Sequence, residues 1–433
     1  MTDVLRYVFV HLPGEREAVP AGALTLVEEG RETLASRFAY GRNYLVRPKR
    51  IPVDPKSLPL DSSARRTAIT PLNGLALFGA LRDATPDSWG RRVIENKLKA
   101  PPDSLPESAY LDHAGDNRTG ALDVRTELDA PAMPGALPTS VDLDHLVQAA
   151  DRIADGEPVP AHLEMIFLGA PSLGGARPKA AIQHGGRQWV AKFPARQDGF
   201  NVPVIERASL ELARQAGIQV PRTQHVRLGD GRDVMLIERF DRGDEAAGYP
   251  RTHMVSALTM LGLHEHDRSA SYADLCRVIE QFGASGQVQS DRTELYRRMV
   301  FNILVTNDDD HLRNHAFLYD ATRGGWRLSP LYDVVPRPML GTERYLAIGV
   351  GAQGRLATLD NALSQCEQFG LSKPDAVEII TSIVAAVRPW RDAFEDLGVS
   401  ARECDRVATA FRRVGDIGME RIEAAAGPWS ART

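Results

Sequence analysis

The sequence predicts an α+β protein of two lobes, the first β-rich and the second helical, with a further small β-rich subdomain in front of them. Three observations carry that prediction. Residues 1–60 and 160–240 contain short runs of alternating apolar and polar positions, broken by Gly and Pro. Beyond Asp241 the apolar positions fall almost everywhere at helical spacing. The chain has 433 residues, 43% hydrophobic and 25% charged, which suffices for two or three folding units and excludes disordered or fibrous composition. The expected divisions are a subdomain over 1–98, a β-rich lobe over 99–240 and a helical lobe over 241–433.

Taken in order, VLRYVFVHL alternates, ALTLVEE follows a Pro/Gly turn, and RFAYGRNYL is aromatic-rich around Gly41; all read as strands. From Pro71 the pattern turns helical, through LNGLALFGALRDA and then PDSWGRRVIENKL, where Pro86 and Asp87 suit a helix start. Residues 42–66 hold seven Arg/Lys against two Asp, a local +5 that is either a solvated face or a surface for a partner. Residues 100–140 read as loops around a small strand, GALDV. VDLDHLVQAADRIADG is helical by the spacing of Leu143, Leu146, Val147, Ala150 and Ile153. KAAIQH, RQWVAKF, TQHVRL and DVMLIERF are strands, with the helix VIERASLELARQAG among them. After Asp241 only HAFLYD and GWRLSP interrupt the helical pattern.

Several function classes are disfavoured. The net charge of −5 gives no global basic field for nonspecific nucleic-acid binding. Cys276, Cys366 and Cys404 lie far apart without CxxC spacing, which argues against a disulfide framework or zinc site and suits a reducing compartment. No apolar run approaches the roughly 20 residues of a membrane helix. The start, MTDVLRYVFVHLPGE, lacks a secretory pattern, so a cytoplasmic chain with no membrane partner is expected.

The densest polar cluster is NILVTNDDDHLRNHAFLYD. Asp308, Asp309 and Asp310 stand between an apolar helix end and an apolar strand, where like charges repel and desolvation is costly. The Asp309-to-Asn314 offset equals the D-x-x-x-x-N of a kinase catalytic loop, in which the Asp takes the proton of the attacking hydroxyl and the Asn holds magnesium. The blander reading is an Asp-rich turn capping a helix. Kinase chemistry needs further parts, and they occur in order. Asp333 in LSPLYDVVP follows a short hairpin as a second metal carboxylate. Lys192 in WVAKFP sits in an upstream strand, Glu206 opens a helix as its candidate ionic partner, and PSLGGARPKAAI, with Gly174 and Gly175, precedes the lysine as a phosphate loop.

These motifs resemble the HipA family of bacterial serine/threonine kinases, the toxins of type II toxin–antitoxin modules. PSLGGARPKAAI is similar to the family's S-x-x-G-x-x-x-K segment, TNDDDHLRNHAFLYD to its D-D-H-x-K-N loop and WRLSPLYDVVP to its P-x-Y-D segment. IERFDR resembles its lobe-connecting hinge, and RFAYGRNYL, SLPL, PDSWGRRVIE and AGDNRTGAL its N-terminal subdomain. Arg313 replaces the usual Lys, and RTHMVSALTMLG lacks the usual E-D-F-x-Q run. The resemblance implies a two-lobe protein-kinase-like fold and ATP and Mg2+ as cofactors. Asp309 is then the base, and Asn314 and Asp333 are magnesium ligands. Lys192 and Lys179 hold phosphates, and Glu206 pairs with Lys192. The backbone of Glu238 and Phe240 contacts adenine, and Ser172 is a site of autophosphorylation. His311 is either structural, holding the loop, or catalytic at the γ-phosphate. The implied partners are a protein substrate, such as an aminoacyl-tRNA synthetase or another translation component, and a separate helix-turn-helix antitoxin of HipB type through which DNA is reached indirectly.

Two other functions compete. One is a small-molecule or lipid kinase, whose loops share the D-x-H-x-x-N pattern. The other is an antitoxin-binding co-repressor with little catalysis, disfavoured by the intact Lys192, Asp309, Asn314 and Asp333. Among lesser candidates, His264-Glu265-His266 is expected to be a solvated stretch of helix, VEIITSIVAAV core, and Trp89 either a packing anchor or part of a partner surface.

Overall fold

A computed structural model describes residues 1–66, 68–131, 137–169, 174–420 and 422. In chain order the elements are β1 (Thr2–His11), β2 (Ala18–Glu29), β3 (Glu32–Tyr40), α1 (Arg42–Leu45), α2 (Gly79–Ala84), α3 (Ser88–Leu98), α4 (Glu107–His113), β4 (Leu122–Arg125), α5 (Leu143–Ala154), α6 (Ile166–Gly169), β5 (Lys179–His184), β6 (Arg187–Lys192), α7 (Val202–Gln215), β7 (Thr223–Arg227), β8 (Asp233–Glu238), β9 (Met254–Ser256) and α8 (Ala257–Leu261). They continue as α9 (Tyr272–Phe282), α10 (Val288–Val305), β10 (Ala316–Asp320), β11 (Gly325–Leu328), α11 (Leu359–Leu363), α12 (Lys373–Val387), α13 (Trp390–Asp396) and α14 (Ala401–Val407). The chain divides into two units, 1–196 with 223–265, and 197–222 with 266–433. No helix among the described residues is long and apolar enough to cross a membrane.

The first unit contains two antiparallel four-stranded sheets, ordered β3-β2-β1-β4 and β5-β6-β8-β7. The β5–β6 hairpin closes through Gly185 and Gly186 at φ 57° and 70°, the positive angles that match the twist of a tight hairpin. α3 and α5 cover the second sheet: Trp89, Val93, Leu146, Val147 and Ile153 share one core with Ala180, Ile182, Ala191 and Leu236. Trp89 is therefore a packing anchor. It is 0% exposed, and its indole donates to the Lys179 carbonyl at 2.8 Å.

Two strings noted separately in the sequence meet in this unit. Gly120 of AGDNRTGAL donates its N–H to Asp241 of IERFDR at 2.8 Å. Arg239 and Arg242 pair with the same carboxylate at 2.8 and 2.9 Å. Burial opposes the ionised form of Asp241, but the two guanidiniums outweigh it and hold the carboxyl well below the usual range.

In the second unit α10 is the central helix, burying Leu295, Met299, Val300, Phe301 and Ile303. α12 packs against it and buries Ile380, Ile383, Val384 and Val387, so VEIITSIVAAV is core. β10 and β11 form an antiparallel hairpin.

Three local expectations are corrected. The helix expected from Leu72 begins only at Gly79, because Asn73 and Gly74 adopt φ 54° and 71° and break the preceding turn. Residues 331–358, expected to be helical, contain neither helix nor named strand; Pro336, Pro338, Gly341, Gly349 and Gly351 punctuate them. His264-Glu265-His266 is a turn rather than a helix, since α8 ends at left-handed Gly262, and the His264 ring bonds the Asn73 carbonyl at 3.1 Å. The three cysteines are buried free thiols.

Candidate active site

The expected site residues fall into two groups, one in each unit. Asp309, His311, Asn314, Asp333 and Glu206 belong to the second unit; Gly174, Gly175, Lys179, Lys192, Glu238 and Phe240 belong to the first. Ser172 lies outside the described residues.

In the second unit the loop begins where α10 stops, at Thr306 in the left-handed region with φ 51°. The three aspartates that follow have different surroundings. The Asp310 side chain is 1% exposed, receives Nε2 of His315 at 3.1 Å and accepts the hydroxyl of Tyr272 from α9. Burial disfavours its charge, but His315 and the two hydrogen bonds outweigh that and hold the carboxyl below its ordinary range. Burial and the Asp310 carboxylate push the Tyr272 phenol well up, so it remains a donor. Asn302 donates to the Tyr272 hydroxyl at 3.2 Å, and Asn307 donates to Asn302 at 3.1 Å. Asp310 is thus an anchor that fastens the loop to two helices.

Asp309 points the other way, its side chain 55% exposed. Its carbonyl accepts the His311 N–H at 2.8 Å and the Asn314 side-chain amide at 3.0 Å, which closes the loop on itself. Asn314 spends its amide N–H there, and its oxygen is the end left to offer a cation. Asp308 is partly buried. Burial pushes its carboxyl up, Arg337 opposes that, and Asp309 adds to it. His311 caps a 3₁₀ turn at 312–314, and its ring makes no hydrogen bond among the described residues.

Asp333 stands at φ 58°, a left-handed conformation that few non-glycine residues adopt and that Asp tolerates better than most. The preceding Tyr332 donates its hydroxyl to the carbonyl of Arg313 at 2.6 Å. Arg313 precedes Asn314, so this bond ties the Asp333 segment to the Asn314 segment. Among the described residues no cluster of three or more His, Cys, Asp or Glu could hold a metal. Magnesium does not require one: it is bound through one or two carboxylates together with waters and substrate phosphates, and Asp333 with the Asn314 oxygen suits that role.

In the first unit, Lys179 on β5 stands directly opposite Lys192 on β6. Paired residues share one face of the sheet with Cβ atoms about 5 Å apart. Both are nearly buried, at 8% and 9% exposure. Two lysines on one face of a sheet offer a polyanion two positive charges from a single surface. The Lys179 ammonium donates to the Gly174 carbonyl at 2.5 Å. Gly175 has φ +96°, a backbone conformation that requires glycine, and a Cβ there would lie 2.5 Å from that ammonium and displace it. α3 seats this loop: Asp87 accepts the Gly175 N–H at 2.9 Å, the Trp89 N–H donates to the Gly175 carbonyl at 3.2 Å, and Arg92 donates to the Ala176 carbonyl at 3.1 Å. Glu238 ends β8 opposite Trp189 and takes Arg187 at 2.8 Å, with Phe240 two residues beyond. Glu206 is 1% exposed on α7.

Sequence reasoning missed the anchoring roles of Tyr272 and His315, and it missed Arg337. Their signals were weak: a tyrosine opening a distant helix, a histidine just after the motif, and an arginine between two prolines.

Residues 171–390 match the family described as HipA-like C-terminal domain, over half of the chain. The chain belongs to that family. Two proteins of Sinorhizobium fredii are relatives across most of their length. The one named "Putative kinase Y4mE" is 27% identical over 380 residues, spanning 80% of this chain and 84% of that protein. The one named "Putative kinase Y4dM" is 26% identical over 418 residues, spanning 92% and 95%. Among solved structures, a chain from the Shewanella oneidensis MR-1 toxin–antitoxin complex of HipA, HipB and operator DNA superposes with a TM-score of 0.66 at 17% identity, over 98% of this chain and 97% of that one. At that identity the likeness speaks for the fold, which is the kinase-like fold with an N-terminal extension that the sequence predicts.

Proposed function

We propose that this protein is an ATP- and magnesium-dependent serine/threonine-protein kinase that restrains growth as the toxin of a toxin–antitoxin pair. The observation that carries the proposal is the 306–314 loop: Asp310 is buried as its anchor, Asp309 is turned outward, and Tyr332 ties Asn314 to the Asp333 segment. Asp309 takes the proton of an acceptor hydroxyl. The acceptor oxygen bonds to the γ-phosphorus as the γ-phosphorus bond to the bridging oxygen breaks, and ADP leaves. Asn314 and Asp333 hold magnesium, which when bound neutralises charge on the phosphate oxygens. Lys179 and Lys192 supply the paired positive charge that receives the phosphates, and the backbone near Glu238 and Phe240 receives the adenine. His311 serves the loop through its backbone, in a structural role.

The proposal extends to partners and regulation. The similar Shewanella oneidensis chain is in a complex with HipB and operator DNA, which supports a helix-turn-helix antitoxin as partner here. The acceptor is a cellular protein, with a component of translation as the leading class. Ser172 is proposed as the site at which the enzyme phosphorylates itself: a phosphate there competes for Lys179 and for the loop N–H groups and lowers ATP binding.

The test is incubation of the full chain with γ-labelled ATP, magnesium and a cell lysate, followed by phosphoamino-acid analysis and peptide mass spectrometry. Label on serine or threonine of protein, including the Ser172 peptide, is expected. Label confined to small molecules or lipid would contradict the protein-kinase reading.

A further inference from the structure

The irregular segment after Asp333 lays a guanidinium across the loop that carries Asp309. Arg337 lies between Pro336 and Pro338, and its backbone N–H donates to the Thr306 carbonyl at 3.1 Å. Thr306 is itself fixed, with its hydroxyl donating to the Ala410 carbonyl at 2.5 Å and accepting from Arg344 at 2.6 Å. The root of the Arg337 side chain is therefore set by its flanking prolines and by a fastened loop.

From that root one planar edge of the guanidinium reaches two neighbouring carboxylates. Nη2 donates to Oδ2 of Asp309 at 2.7 Å, and Nε lies 3.1 Å from Oδ1 of Asp308 as an ion pair without a hydrogen bond. The planar guanidinium spreads one positive charge over both acids while spending its hydrogen bond on Asp309. The Asp309 carboxylate accepts no other hydrogen bond among the described residues and is more than half exposed. Without the clamp it is free to sample several rotamers, whereas a base must be held to within about 10–20° of its productive direction.

We infer that Arg337 is the positioning residue for the base: it takes Oδ2 of Asp309, fixes its rotamer, and leaves Oδ1 as the acceptor for the proton of the incoming hydroxyl. The inference rests on the reading of Asp309 as base and adds to it a residue that neither the kinase motif nor the family comparison assigns. It also gives Asp308 a purpose, as a second negative charge that draws the guanidinium to the loop.

The experiment compares wild type, Arg337→Ala, Arg337→Lys and Asp309→Asn. It measures label transferred from γ-labelled magnesium ATP to total lysate protein, ATP affinity by calorimetry, and melting temperature. Arg337→Ala is expected to lower the rate at saturating ATP by about 10–100-fold, the scale of a roughly 1 Å misplacement. ATP affinity and melting temperature should stay at wild-type values. Arg337→Lys, which keeps one of the two contacts, should recover part of the rate. An unchanged rate overturns the inference, and so does a raised rate, which would make Arg337 an inhibitory latch. A loss of melting temperature in step with the rate, without rescue by lysine, would make it a stabiliser only. Asp309→Asn separates the two levels. If it is inactive while Arg337→Ala is normal, only this inference falls; if Asp309→Asn keeps its full rate, the reading of Asp309 as base falls.

Discussion

Adjacent aspartates in the loop should respond to substitution in opposite ways. Asp310→Ala removes a carboxylate whose side chain is 1% exposed and leaves the Tyr272 hydroxyl and the His315 ring without their partner. Leaving two buried hydrogen-bonding groups unsatisfied costs about 1–3 kcal/mol each. For a folding unit of some 200 residues that is a fall in melting temperature on the order of 4–24 °C. Asp309→Ala removes a group whose side chain is 55% exposed and whose one ionic partner is itself half exposed, so stability should change by less than about 1 kcal/mol. Asp310 also sets an acid limit. Its folded value lies below the ordinary 3.8, so its stabilisation is complete above that pH and is lost as pH falls through the lowered value. Scanning calorimetry of both variants at neutral pH decides the matter. Equal stability losses, or an Asp310→Ala protein that melts within 1–2 °C of wild type, would refute the division of labour.

Two further outcomes follow from the first unit. His253 is fully buried, and burial lowers its value from 6.5 to about 4, with its ring on the Val53 carbonyl at 3.0 Å. The folded form then binds fewer protons than the unfolded one, so stability should fall as pH drops from 6.5 towards 4, by up to about 3 kcal/mol at 1.36 kcal/mol per unit. Urea titrations should show that slope reduced in His253→Gln, and an unchanged slope would count against it. Gly175→Ala forces a left-handed alanine against the Lys179 ammonium, and it should weaken ATP binding about 10-fold or more by calorimetry; wild-type affinity would show that the loop does not hold phosphate.

Much of the fold was legible because it is locally encoded. The β5–β6 hairpin announces itself by alternating strands around Gly185-Gly186, and α5 by the spacing from Leu143 to Ile153. The candidate site stood out as an ordered set of motifs, because the kinase chemistry proposed for it needs those residue types in that order. What stayed hidden depends on contacts between distant positions. Nothing in DDD says which aspartate is buried; that is decided by Tyr272, 38 positions upstream of Asp310. The strings around Gly120 and Asp241 were both noticed, yet their union lies in a hydrogen bond spanning 121 positions. The clamp by Arg337 needs the irregular path of residues 329–358, which proline and glycine signal without giving its direction.

The central claim is that the outward carboxylate of Asp309 and the left-handed Asp333 perform phosphoryl transfer. The most direct measurement is single-turnover transfer from saturating magnesium ATP to lysate protein by wild type, Asp309→Asn and Asp333→Asn, with melting temperatures recorded alongside. The account predicts transfer reduced by at least about 1,000-fold in both variants, roughly 4 kcal/mol of transition-state stabilisation, with both still folded. Transfer within a few-fold of wild type in either folded variant would contradict it.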